Sequence, residues 1–326
     1  MWKIGNIEIK GKTILAPMAG ITTFAYREFM RSFGVALCYT EMISDSGLIF
    51  NNEKTYEYLP RPEEKRPTSV QLFGGETTKL LVAIEKIEKH TDNYDFLDLN
   101  LGCPVPKVTR NNGGSAWLKH PNELIAMVEK VVKRSTKPVT VKIRIGWDEK
   151  HINFKELLPK LEEAGVSLIA IHLRTTKQLY GGKARYDLAQ NIQNLVSIPL
   201  VVSGDIYTLD DAIKALEITG AQAVMLARGQ LGNPFLATQI ETYFKTGERL
   251  KDPSLYQQLD YLWTLANMMV EEKGEHMGIL VMRGIAHHFI KGFPFTKTYK
   301  VKLTKMSTLN DLELIIKEIK NQALLT

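Results

Sequence analysis

Short runs of β-branched and apolar residues recur along the chain at residues 13–16, 35–39, 68–72, 96–100, 139–143, 168–172, 200–203 and 223–226. Between most of them the apolar positions change to the three-to-four-residue spacing of amphipathic helices, at residues 23–32, 77–89, 121–134, 154–164, 209–219 and 234–244. Several runs are apolar on both faces, among them Leu168-Ile169-Ala170-Ile171 and Leu200-Val201-Val202, as parallel strands covered by helices are. Eight strand–helix units over about 230 residues predict an α/β fold, a closed (β/α)₈ TIM barrel. A doubly wound open sheet is the competitor, and the count of eight favours closure.

The pattern changes after Phe244. Residues 246–254, Thr-Gly-Glu-Arg-Leu-Lys-Asp-Pro-Ser, read as a linker with Gly247 and Pro253 as breakers. Beyond it no strand signal remains, and residues 255–273, 278–291 and 309–325 read as helices. The expected organisation is a barrel at 1–245, a linker at 246–254 and a small helical domain at 255–326.

Composition narrows the class. Of 326 residues, 44% are hydrophobic and 24% charged, which supports a large core and excludes global disorder. No apolar run approaches the roughly 18 residues of a membrane span. Residues 1–12 alternate polar and apolar positions without the apolar stretch of a signal peptide, so a soluble cytoplasmic protein is expected. Two cysteines, Cys38 and Cys103, make neither a disulfide framework nor a cysteine zinc site, and no metal is expected.

The formal charge of +6 is concentrated. Residues 274–306 carry Arg283, Lys291, Lys297, Lys300, Lys302 and Lys305 against Glu275 alone, together with His276, His287 and His288. A local basic face on a nearly balanced body suits a polyanion, since phosphate contacts release counterions and steer association. A solvated helix surface is the plainer alternative.

In a barrel the C-terminal strand ends and the loops after them form the reactive mouth. In order they carry Pro17-Met18-Ala19-Gly20, Glu41-Met42, Gln71, Asn100-Leu101-Gly102-Cys103-Pro104, Lys142-Ile143-Arg144, His172-Leu173-Arg174-Thr175, Ser203-Gly204-Asp205 and Ala227-Arg228-Gly229. That concentration of polar, glycine and cysteine residues is more telling than any one motif. The last two ends have the small residues that let backbone N–H groups approach a phosphate, with Arg228 as a charged fork. Lys142, between Val141 and Ile143, needs either a structural ion pair or an anionic ligand. Gln71 offers both donor and acceptor to a heteroaromatic ring edge. His172 alone reads more readily as a hydrogen-bonded core histidine than as a catalyst. Cys38, inside Val35-Ala36-Leu37-Cys38-Tyr39, reads as core filler. Cys103 sits in a Gly-Cys-Pro turn where packing needs no thiol. It can serve as a general acid, or as a nucleophile if a base such as His172 lowers its pKa, and the residues alone leave both open.

These residues resemble the tRNA-dihydrouridine synthases. The resemblance is carried by Leu15-Ala16-Pro17-Met18-Ala19-Gly20, Glu41-Met42, Val70-Gln71-Leu72-Phe73-Gly74, Asp98-Leu99-Asn100-Leu101-Gly102-Cys103-Pro104, Val141-Lys142-Ile143-Arg144, Ile171-His172-Leu173-Arg174-Thr175, Ser203-Gly204-Asp205-Ile206 and Ala227-Arg228-Gly229. It covers the whole barrel, extends more weakly into the tail, and is greatest to the bacterial B-type subgroup. Asn-x-Gly-Cys-Pro followed by Lys107-Val108 is its most specific element.

The resemblance implies an FMN barrel that reduces the C5–C6 double bond of uridine in tRNA, recharged by NADPH. It assigns FMN contacts to Pro17, Met18, Ala19, Gln71, Lys142, His172, Ser203, Gly204, Asp205, Ala227 and Arg228. Cys103 becomes the proton donor to uracil C5, with hydride from flavin N5 going to C6, and Asn100 helps orient the base. Lys142 would also offset negative charge on the reduced flavin. Arg174, Lys107, Arg110 and Arg283 are expected on the substrate side, with the helical tail gripping the backbone while the uridine is extruded. The working unit is expected to be a monomer with tRNA as its partner. Leu173 departs from the small polar residue usual after the strand-six histidine, and the loop at 176–185 is unusually rich in lysine and glycine.

Two other functions compete. An FMN barrel acting on a free pyrimidine, as dihydroorotate dehydrogenases do, would have no evident use for the basic tail. An RNA-binding or chaperoning protein without catalysis would have no need of Cys103 and the strand-end set.

Overall fold

The structure, a computed structural model, describes residues 1–324. Two short strands, β1 (Trp2–Ile4) and β2 (Ile7–Ile9), form an antiparallel hairpin that turns at Gly5, whose φ is +57°. The alternation across residues 1–12 is the period of this hairpin, with Ile4 and Ile9 pointing inward and fully buried. Gly5 lies against Pro138, just before the fifth barrel strand, so the hairpin covers the N-terminal end of the barrel.

The barrel strands are β3 (Thr13–Leu15), β4 (Leu37–Tyr39), β6 (Thr68–Phe73), β7 (Phe96–Leu101), β8 (Val139–Arg144), β9 (Leu168–His172), β10 (Leu200–Ser203) and β11 (Ala223–Leu226). Each pairs in parallel with its sequence neighbours, β11 pairs with β3, and β4 pairs with β6, which closes the ring. An extra two-residue strand, β5 (Ile43–Ser44), continues beside β6. The eight predicted strands match to within one or two residues at their ends.

The interior is filled by Ile14, Leu37, Tyr39, Phe96, Leu168, Ala170, Val201, Ala223 and Met225, together with the hairpin isoleucines. This packing leaves space only at the opposite, C-terminal mouth.

Around the ring run α1 (Phe24–Arg31), the short α2 (Asp45–Ile49) and α3 (Glu53–Tyr56), α4 (Thr77–His90), the one-turn α5 (Pro106–Thr109), α6 (Pro121–Arg134), α7 (Phe154–Glu163), α8 (Leu209–Thr219) and α9 (Phe235–Thr246). Between β9 and β10 there is no α-helix, only 3₁₀ turns at Tyr186–Leu188 and Ile192–Leu195. On α9, Glu241 accepts hydrogen bonds from the backbone N–H groups of Lys12 (2.8 Å) and Thr13 (2.7 Å), locking the helix to the start of β3.

The tail consists of α10 (Leu255–Phe289), α11 (Lys297–Lys305) and α12 (Leu309–Ala323). Gly274, at φ 74° and ψ 159°, breaks α10 into two helical arms, close to the gap expected between residues 273 and 278. α11 carries too few apolar positions for its periodicity to stand out, and only Tyr299 and Leu303 are buried. The last residue of the helix expected over 309–325 lies outside the described residues. The tail rests on α1: Glu272 accepts from the Ala25 N–H at 2.8 Å, and Phe33 meets Tyr261 edge-on at 4.9 Å. The apolar core runs without interruption from barrel to tail.

Candidate active site

The strand ends converge on a cavity of about 380 Å³. The first strand contributes Pro17, Met18 and Ala19, the fourth Asn100 and Cys103, the fifth Lys142 and Arg144, and the sixth His172. The seventh contributes Ser203, Gly204 and Asp205, and the eighth Ala227, Arg228 and Gly229. Thus the sequence-nominated residues gather in one place, with exceptions given below.

One side of the cavity is built for close backbone approach. Gly204 sits at φ +122°, and a Cβ there would lie 2.9 Å from the Ala184 Cβ. A Cβ on Gly229 would fall 1.8 Å from the Ile206 carbonyl oxygen, so only glycine fits. Arg228 is 43% exposed at its side chain and reaches Asp205 only at 4.0 Å, which leaves most of its donors free. Asp205 itself is fixed by Arg174, at 2.6 and 2.7 Å, and by the Ala184 N–H at 2.7 Å. Two glycines and a largely free guanidinium make an anion cradle.

Lys142 enters the cavity from β8. It makes no hydrogen bond or ion pair among the described residues, and burial, reinforced by Arg144, lowers its pKa from 10.5 to about 8. Asp98, on the neighbouring strand, opposes that effect but forms no salt bridge with it. A half-buried ammonium without a partner is costly, and its cavity position suits an anionic ligand better than a structural pair. His172 is held well below its ordinary pKa by burial and by the surrounding cations Lys142, Arg144, Arg174 and Arg228, so the ring is neutral. Arg174 Nη1 stands 3.3 Å from its Nε2.

Cys103 occupies a turn that Asn100 shapes, its Oδ1 accepting from the backbone N–H groups of Cys103 (2.8 Å) and Gly102 (3.2 Å). Ser115 ties the far side through its N–H and Oγ to the Cys103 carbonyl, at 3.0 and 2.9 Å. Burial raises the thiol pKa despite nearby Lys142 and Arg144, so the group is a protonated thiol at neutral pH. No hydrogen bond joins it to His172 among the described residues. A protonated thiol without a paired base can act as a general acid. Cys38 is fully buried among apolar side chains.

Three nominated residues sit elsewhere than expected. Gln71 does not line the cavity: it is fully buried behind the wall, donating to Asp98 at 2.7 Å and accepting from Asn100 at 2.8 Å. Arg174 is 1% exposed and spends its donors on Asp205, Gly181 and Gly182, so it braces the loop after β9 and does not line the cavity. Arg283 is half-buried, holding the Met306 carbonyl at 2.6 Å and Ser307 at 3.2 Å, and so joins α10 to the start of α12. Lys302 is paired with Glu318. Lys107 and Arg110, beside the Cys103 turn, are exposed and make no ion pair among the described residues, and the same holds for Lys291, Lys297 and Lys305 in the tail.

From the sequence Arg144 stands at its strand end without a role, and Tyr180 is not nominated at all. Arg144 Nε donates to the Gly102 carbonyl at 2.9 Å, while its Nη1 holds the carbonyls of Thr175 (2.7 Å) and Leu179 (2.6 Å), linking the Cys103 turn to the loop after β9. Tyr180 projects from that loop between the guanidinium groups of Arg144 and Arg228, 5.5 and 5.2 Å from its ring centre. The spacing Lys142-x-Arg144 could have signalled the first, since two residues along a strand return to the same face. No local pattern marks Tyr180.

Among the described residues no cluster of histidine, cysteine and acidic side chains could hold a metal ion, and no helix is long and apolar enough to cross a membrane. The fold resembles that of the old yellow enzyme homologue from Zymomonas mobilis, with a TM-score of 0.55 at 16% identity over 77% of this chain and 93% of that one. Histamine dehydrogenase from Rhizobium sp. 4-9 has the same TM-score at 12% identity, over 82% of this chain and 50% of that one. The sequence is 33% identical to the probable tRNA-dihydrouridine synthase 1 of Synechocystis sp., over 95% of this chain and 86% of that protein. It is 31% identical to tRNA-dihydrouridine synthase B of Pseudomonas aeruginosa, over 93% and 91% respectively. Residues 14–324 match the family model described as dihydrouridine synthase. The chain belongs to the dihydrouridine synthase family and is an enzyme of the tRNA-dihydrouridine synthase type.

Proposed function

We propose that this enzyme reduces the C5–C6 double bond of uridine in tRNA to 5,6-dihydrouridine, with FMN as its cofactor and NADPH as the reductant. The observation that carries the reading is one cavity holding a lysine ammonium without an ion-pair partner among the described residues, a glycine–arginine anion cradle and a protonated thiol on a braced turn.

The residues fit FMN. Gly204, Gly229 and Arg228 suit a single phosphate, where a Cβ would otherwise fill the space. Pro17, Met18, Ala19, Ser203 and Ala227 give a mixed apolar and small-residue wall, with neutral His172 and cationic Lys142 beside it. Gln71 supports this wall from behind. When bound and reduced by NADPH, FMN supplies the hydride that reaches uracil C6.

The chain's own residues do the rest. As negative charge develops on C5 and O4 of the uracil, the Cys103 Sγ–H donates its proton to C5, and its raised pKa keeps that proton available. Asn100 holds the turn that presents the thiol. Lys142 offsets anionic charge next to it. A uridine within folded tRNA must be extruded to reach this depth, which costs a few kcal/mol and needs a grip on the backbone. Lys107 and Arg110 at the rim and Lys291, Lys297 and Lys305 on the tail supply exposed cations for that grip. The enzyme works as a monomer in the cytoplasm, where its substrate is.

The test is incubation with NADPH and an unmodified tRNA transcript, followed by nuclease digestion and mass spectrometry. The expected product is a nucleoside heavier than uridine by two hydrogens. Turnover of free orotate or uridine with unaltered tRNA would overturn the reading in favour of a free-pyrimidine enzyme.

A further inference from the structure

A line of hydrogen bonds runs from the barrel interior to the Cys103 turn. It begins at Asp98, on the fourth barrel strand and fully buried. Thr140 Oγ1 donates to Asp98 Oδ1 at 2.5 Å, and Gln71 Nε2 donates to Asp98 Oδ2 at 2.7 Å. Gln71 Oε1 accepts from Asn100 Nδ2 at 2.8 Å, and Asn100 Oδ1 accepts from the Cys103 N–H at 2.8 Å. Four side chains on three adjacent strands thus form one directed chain.

An amide can face either way, and each of these two has a partner that decides the matter. Burial raises the Asp98 pKa to about 7 against the hydrogen bonds from Thr140 and Gln71; in its ionised form the carboxylate accepts only, so Gln71 turns its NH₂ toward Asp98 and its oxygen toward Asn100. Asn100 must then turn its NH₂ inward and its oxygen outward, the one orientation that can accept from the two backbone N–H groups of the turn. Reverse the first amide and the last contact becomes donor against donor. Burying an acid in a barrel core needs a reason beyond packing, and neither the cofactor cradle nor the proton transfer uses Asp98 directly.

We propose that Asp98 is a positioning residue for Cys103, acting through the amide orientations of Gln71 and Asn100. Its effect on the reaction rests on the uridine-reductase reading; its effect on the thiol does not.

The test compares three variants. Asp98→Asn can keep its oxygen toward Gln71 and offer its NH₂ to the Thr140 hydroxyl, preserving the direction of the chain. Asp98→Leu destroys it, and Gln71→Met interrupts it one link later with Asp98 intact. Cys38 is fully buried, so thiol alkylation in the folded holoenzyme reads Cys103. Iodoacetamide should react with Cys103 faster in Asp98→Leu and Gln71→Met, by about tenfold for each pH unit that the loosened thiol falls toward its ordinary pKa. It should react at the wild-type rate in Asp98→Asn. The tRNA-dependent reoxidation of the reduced enzyme should slow about 10- to 100-fold in the first two, as misplacement near an ångström does, while reduction by NADPH holds in Asp98→Leu. Combining Asp98→Leu with Gln71→Met should add no further loss, because both break one chain.

Wild-type alkylation in both disrupting variants would overturn the proposal, as would an Asp98→Asn enzyme as impaired as Asp98→Leu. If Asp98→Leu fails to fold, Gln71→Met and Asp98→Asn decide alone. Should the wild-type enzyme leave tRNA unaltered, the reductase reading fails, and the alkylation rates still decide the role of Asp98.

Discussion

Replacing Lys142 with methionine separates the cost of this lysine from its use. Burial brings the ammonium from 10.5 down to about 8, which at 1.36 kcal/mol per pH unit costs the flavin-free protein about 3 kcal/mol. Below about pH 8 the lysine is protonated in folded and unfolded chains alike, so the whole cost is present. Between about 8 and 10.5 the unfolded chain binds the extra proton, and the wild-type protein gains stability as pH rises through that window. Methionine fills a similar volume without the charge. Lys142→Met should therefore stabilise the flavin-free protein at pH 7 by about 3 kcal/mol, with the advantage fading toward pH 10. At about 2.1 cal/mol/K of unfolding entropy per residue, 326 residues convert this to a Tm gain of about 4 °C. Thermal and urea unfolding at the two pH values measure it, and flavin content measures the opposite effect on binding, which should fall. A structural ion pair with Asp98 predicts the reverse sign, since removing one partner strands the other. A variant less stable than wild type at pH 7 would refute the reasoning.

Other consequences are narrower. Removing Lys291, Lys297 or Lys305 should flatten the salt dependence of tRNA binding by roughly one per charge, read from filter binding across salt concentrations, for each residue that touches phosphate. Lys302→Ala should change that slope less, because Glu318 already neutralises it. Gly229→Ala should purify with little flavin and lose about 1–3 kcal/mol of stability in urea unfolding, since its Cβ would meet the Ile206 carbonyl oxygen at 1.8 Å. Released cofactor, identified by chromatography, should be FMN, because the cavity has one anion cradle; FAD would contradict the assignment.

The parts of this molecule that were legible in the sequence are those that obey a local rule. Parallel strands buried on both faces read as apolar runs, and Leu168-Ile169-Ala170-Ile171 and Leu200-Val201-Val202 are strands as predicted. Strand ends at a barrel mouth must carry the chemistry, so Cys103, Lys142, Gly204 and Arg228 could be nominated before any coordinates. What escaped depends on direction and distance. Gln71 and Arg174 stand at strand ends yet turn behind the cavity, and the partners that hold them, Asp98 and Asp205, lie on other strands. Tyr180 reaches the cavity only because buried arginines pin its loop through backbone carbonyls, a contact no side-chain pattern encodes. The α11 helix was missed because its exposed face is nearly all lysine, threonine and valine, and two buried residues carry its packing.

The most direct measurement separates the two half-reactions in Cys103→Ala. Under anaerobic conditions NADPH should reduce the bound flavin at close to the wild-type rate, because that step does not involve the thiol. Mixing the reduced variant with unmodified tRNA should then restore flavin absorbance about 10²–10⁴-fold more slowly than in wild type, the usual worth of a general acid. Binding of tRNA should be unchanged. A Cys103→Ala enzyme that reoxidises on tRNA as fast as wild type would contradict the account, because the proton would then reach uracil C5 from another group.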